Sequence, residues 1–105
     1  MSGIHVVRIH EYVVKVLEGC GVERDTMRIS GELTLIAEKY SEAEIDENEA
    51  RRRVVKVCKE LSRLANGCGK TLSPKKCVED LMSIITATMG FRRARAMLRK
   101  LRRNH

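Results

Sequence analysis

The 105-residue sequence is short of aromatic side chains, with one Phe, two Tyr and no Trp. Single-stranded nucleic acid is usually held by stacking its bases on aromatic rings. That mode is disfavoured here, and Val, Leu, Ile and Met are left to fill the core. Glutamine is absent, and the only asparagines are Asn48, Asn66 and Asn104. Thermophile proteins tend to be poor in these thermolabile amides and rich in Lys, Arg and Glu, and the composition leans that way. No apolar run approaches the roughly 18 residues of a membrane span. Residues 1–8 lack the basic-then-apolar layout of a secretory signal, so an intracellular location (cytoplasm, nucleoid or nucleus) is expected. Cys20, Cys58, Cys68 and Cys77 form no CxxC pair, and their scatter makes no zinc pattern. In a reducing cytosol they are expected to be buried thiols; a hyperthermophile source would make a disulfide the alternative.

What the chain does have is positive charge in one place. Arg92, Arg93, Arg95, Arg99, Lys100, Arg102 and Arg103 lie in residues 91–105, which contain no acid. They account for the whole net charge of +7. An acidic stretch, Glu38 to Glu49, runs directly into Arg51-Arg52-Arg53. A single-sign row of Arg and Lys suits nucleic-acid phosphates, an anionic lipid surface or an acidic protein.

Apolar spacing predicts helices throughout. Val6, Ile9, Val13 and Leu17 recur at helical intervals, and Gly19-Cys20-Gly21 stops that helix. Residues 22–30 read as a short extended loop, with Ser30 capping a helix that begins at Gly31. Ile36, Tyr40, Ala43, Glu47, Ala50, Val54, Val57, Leu61 and Leu64 alternate spacings of four and three. They predict one long helix over residues 31–65, about 50 Å. Two cap signatures, Ser41 with Glu44 and Asp46 with Glu49, could instead divide it in its acidic middle. Asn66-Gly67-Cys68-Gly69 ends it, and Ser73-Pro74 restarts a helix. Val78, Leu81, Met82, Ile85 and Met89 form its apolar face, and Gly90 closes it. Phe91, Ala94, Leu98 and Leu101 should line the buried face of a separate last helix, with arginine elsewhere. Residues 1–90 are thus expected to be a helical core and residues 91–105 an added basic helix.

Other motifs point to ordinary structure. Gly69-Lys70-Thr71 lacks the earlier glycine of a phosphate-binding loop, since Leu64 stands there, and it follows a helix rather than a strand. His5 and His10, five apart on a helix, face nearly opposite ways, which disfavours a metal site with Glu11. No catalytic constellation stands out, so neither enzymatic activity nor a cofactor is expected.

The element order, with Arg28-Ile29-Ser30-Gly31 before the long helix and "KTLSPK" (Lys70 to Lys75) before the next, resembles the histone fold. The resemblance covers roughly residues 5–89. It implies an all-α helix–loop–long helix–loop–helix core that dimerises in a handshake with itself or another histone-fold chain, with the basic C-terminal helix added. The stretch from Ser30 to Thr71 exceeds the family's usual length by about eight residues, or two helical turns. The implied function is architectural binding of duplex DNA in chromatin or a nucleoid. Arg28, Ser30, Lys70 and Thr71 would meet phosphates from paired loops, with Arg28 entering the minor groove. The C-terminal Arg and Lys residues would add affinity without reading sequence. A helix-turn-helix regulator using residues 81–101, with Gly90 in the turn, is one alternative. A helical scaffold subunit that binds other proteins is another.

Overall fold

A computed structural model describes residues 3–103. They form four helices: α1 (Ile4–Leu17), α2 (Glu23–Ser41), α3 (Glu47–Gly67) and α4 (Pro74–Arg103). The all-α expectation holds, and no helix is long and apolar enough to cross a membrane among these residues. Helices α1 and α2 run antiparallel, which brings His5 to within 3.5 Å of Glu38. Helix α4 returns along α1, where the Tyr12 hydroxyl donates to Asp80 at 3.0 Å. Burial and that carboxylate push the Tyr12 phenol above its ordinary range. Ile9, Val13, Ile29, Leu33, Val54, Leu61, Leu81 and Ile85 are fully buried, so every helix contributes to one core. His5 is also buried.

Helix α2 begins at Glu23, not at Gly31. Ile29, Ser30, Leu33, Ile36, Ala37 and Tyr40 make one inward face, and the helix runs on through the exposed Gly31. Met27 and Ile29, within the stretch expected to be an extended loop, fall on different helix faces: Met27 is 64% exposed and Ile29 is buried. Glycine inside a helix costs only about 1 kcal/mol, so packing on the Ile29 and Leu33 side prevails.

The expected 35-residue helix is two helices. Glu42–Asp46 reverses the chain, and both halves of the stripe turn their apolar sides to the same core. Helix α2 ends with Glu44 N–H donating to Lys39 O and Ala43 N–H to Tyr40 O, with Ala43 at φ 58°. This is a Schellman ending with alanine where glycine is usual. Asp46 then caps α3, its carboxylate accepting from Glu49 N–H at 2.7 Å, which realises the second of the two cap signatures. Hydrogen bonds from Arg52 and Arg53 hold the Glu49 carboxyl down to about 2. Val54, Val57 and Leu61 of that stripe are buried by the chain's own helices.

Ser73 caps α4 as expected, its Oγ accepting from Lys76 N–H at 3.1 Å with Pro74 in first position. Gly90 does not close the helix. Thirty residues run unbroken to Arg103, about 45 Å. The molecule measures 54 × 26 × 19 Å. The separate basic helix and the turn of a helix-turn-helix at Gly90 are therefore both absent. The side of α4 that is buried also differs from expectation. Ala96 packs inward, whereas Phe91 is 76%, Leu98 54% and Leu101 58% exposed, and Ala94 is exposed too.

All four cysteines are paired rather than free, Cys20 with Cys68 and Cys58 with Cys77, at Cα separations of 5.5 and 5.8 Å. Those separations suit disulfides. In the chain-entropy account, closing loops of these lengths stabilises by about 3 to 4 kcal/mol each. Reductant should accordingly lower the thermal midpoint by many degrees, and Cys58→Ser/Cys77→Ser should account for roughly half of the drop; paired melting curves followed by circular dichroism measure both. The α2–α3 reversal gives a second expectation. Ala43→Gly should stabilise by about 1 kcal/mol because glycine adopts positive φ freely. Asp46→Ala should cost about 1 kcal/mol through the lost cap, and urea titration reads both changes.

Candidate functional site

The cationic segment of α4 divides by helical geometry into two sets. Met89, Arg93, Ala96 and Lys100 recur every three or four residues and face the body of the protein. Arg93 Nη1 donates to Tyr40 O and Ile45 O, each at 2.8 Å, and its guanidinium lies 4.3 Å from the centre of the Tyr40 ring. Lys100 Nζ donates to Ala43 O. Two cations thus serve the C-terminal end of α2 and the turn after it, close to the negative end of the helix dipole. These two belong to the fold, although the sequence groups them with the binding residues.

Arg92, Arg95, Arg99 and Arg102 form a second row, and Arg103 lies beside it. Ser41, Glu42, Arg92, Arg95 and Arg99 line a cleft of about 190 Å³. Glu42 lies 3.9 Å from both Arg92 and Arg99, with all three side chains about half exposed. Among the described residues, Arg95, Arg102 and Arg103 have no carboxylate within ion-pair distance. A cleft ringed by three guanidiniums and entered by one carboxylate has the chemistry to hold an anion.

The other expected site residues lie elsewhere. Arg28 is on α2, not in a loop, and bridges to α3: Nη1 donates to Glu60 at 3.1 Å and Nη2 to Asp25 at 2.9 Å, with Glu32 at 3.5 Å. These carboxylates, Glu60 foremost, raise its already high pKa and neutralise its charge locally. Ser30 is buried within α2, its Oγ 3.1 Å from His10 Nδ1. Lys70 and Thr71 lie in the loop before α4, where Lys70 Nζ reaches Lys15 O at 3.5 Å. They are at the opposite end of α4 from the arginines. The structure therefore does not assemble these residues into one surface. Ser41 and Glu42 escaped sequence reading. The acidic run was visible, but only the chain reversal places Glu42 against α4. Among the described residues, no group of three His, Cys, Asp or Glu side chains is placed to hold a metal ion.

Comparison of the chain with protein-family models, curated proteins and solved structures finds no match.

The two arginine sets should separate in mutagenesis. Arg93→Ala should cost about 2 kcal/mol or more, since a charged donor leaves two carbonyls. Arg93→Lys should recover little, because an ammonium cannot reproduce the fork or the ring stacking. Arg102→Ala should leave chemical stability within about 0.5 kcal/mol of the parent. Guanidinium unfolding of the three variants checks the contrast.

Proposed function

We propose that the chain binds duplex DNA with little sequence preference, through phosphate contacts from the outward arginines of α4. The observation that carries this reading is the cleft at Arg92, Arg95 and Arg99, where the only carboxylate is the half-exposed Glu42. Guanidiniums on a rigid helix can meet successive phosphates without reading base edges. Docking requires the Glu42 carboxylate to give way to a phosphate oxygen, an exchange of one exposed ion pair for another at modest cost. A histone-like core implies paired loops carrying Arg28, Lys70 and Thr71. The present reading instead rests on α4, because Arg28 is already held by three carboxylates and Lys70 is remote from the cleft. Pairing with a second chain remains part of the proposal, but on surfaces other than the buried α3 stripe.

The test is a salt titration of binding to one duplex. Each phosphate contact contributes roughly −0.9 to the slope of log affinity against log salt. Arg92→Gln/Arg95→Gln/Arg99→Gln should flatten the slope by about two to three units and weaken binding alike on unrelated sequences. Glu42→Gln should strengthen binding about three- to ten-fold at low salt by removing the internal competitor. An unchanged slope in the triple variant would remove α4 from the interface and the reading with it.

A further inference from the structure

Among the described residues, two extended apolar surfaces lie open. The first is a groove of about 780 Å³ between α1 and α2, whose apolar walls include Val7, Met27 and Leu35. These three are 55%, 64% and 54% exposed. The charged side chains lining it are both carboxylates, Glu11 and Glu38. The second is a stripe on α4, where Ala87, Phe91, Ala94, Leu98 and Leu101 follow one another at spacings of four and three. That is the seam pattern of a helix that packs lengthwise against other helices. Arg95 and Arg102 flank it, so an acid-lined groove and a base-flanked apolar helix occur in the same molecule.

The glycines provide an independent observation. Gly31 and Gly90 both lie inside helices, where glycine costs about 0.5–1 kcal/mol relative to alanine. A Cβ on either would meet no atom within 4 Å, so close packing inside the chain requires neither glycine. Gly31 lines the groove. Glycine on a helix face lets another backbone approach closely, and Gly31 lies at the uncovered surface.

We infer that the chain pairs with a second copy of itself by reciprocal exchange, the C-terminal half of α4 of each copy lying in the α1–α2 groove of the other. One two-fold arrangement then covers both surfaces, sets Arg102 towards the carboxylates Glu11 and Glu38 while Arg95 stays with the cleft, and uses the open space at Gly31. Stripe-to-stripe pairing would leave the groove uncovered. The inference goes beyond duplex binding and does not depend on it.

Sedimentation of the intact chain and two variants tests it. Gly31→Leu fills the groove without burying anything in the fold, and it should raise helix stability in a melting curve. Leu98→Glu/Leu101→Glu places charge on the stripe. The parent should sediment as a dimer at micromolar concentration, and each variant alone should associate at least about a hundred-fold more weakly. An equimolar mixture should regain a dimer, because one intact groove then meets one intact helix, and its affinity should fall between those of the parent and the variants. A parent that stays monomeric to about 100 µM overturns the inference. If that monomer floats with phosphatidylglycerol vesicles, the stripe belongs to a lipid surface. Dimerisation of Gly31→Leu as strong as the parent's, or no recovery on mixing, also overturns reciprocal exchange.

Discussion

The contact between the Arg93 guanidinium and the carbonyls of Tyr40 and Ile45 is the constraint on which the rest of the arrangement depends. An apolar stripe running at helical spacing from Ile36 to Leu64 favours a single straight helix on local grounds. Reversal at residues 42–46 leaves the turn carbonyls of Ala43 and Ile45 outside either helix and places an alanine at positive φ. Such carbonyls are costly unless they are hydrogen-bonded. Arg93 and Lys100 supply donors from a helix that closes over the turn after the chain has reversed. The reversal thus fixes the course of α4, and α4 stabilises the reversal.

Much of the fold is legible in the sequence. Helix α1 and its glycine stop, the Asp46 cap and the Ser73-Pro74 restart all rest on local chemistry, and local chemistry is what a sequence displays. The errors share one cause. A cap residue at Ser30 and a glycine at Gly90 each mark a boundary on local grounds, whereas tertiary packing of Ile29 and Leu33, and of Met89 and Ala96, carries each helix through. The continuity of the stripe across residues 42–46 was read as one helix, although two helices facing the same core produce the same pattern. Assigning Phe91, Leu98 and Leu101 to the interior followed from hydrophobicity alone. The opposite face is buried because Arg93 and Lys100 have carbonyls to reach there, a demand that appears only once α2 has ended.

The candidate site was half visible for the same reason. Charge concentration in residues 91–105 is a property of the sequence, but the division of those charges between structure and surface is a property of the fold. Arg92 and Arg93 are adjacent in the chain; about 100° of helical rotation separates them, and one faces the cleft while the other serves the fold. Arg28 shows the converse. Nothing in its neighbourhood announces Glu60, which lies 32 residues away and reaches it only through the packing of α2 on α3.

The disulfide pattern has a topological consequence. The two bridges overlap in sequence, since Cys58 lies inside the loop closed by Cys20 and Cys68, and Cys77 lies outside it. One backbone cut anywhere between Cys20 and Cys77 leaves the two pieces covalently joined. A cut beyond Cys77 releases whatever follows it. The segment from Cys20 to Cys77 is therefore cross-linked against scission: nicking it leaves the molecule in one piece, whereas nicking α4 between Cys77 and Arg92 removes the whole outward arginine row.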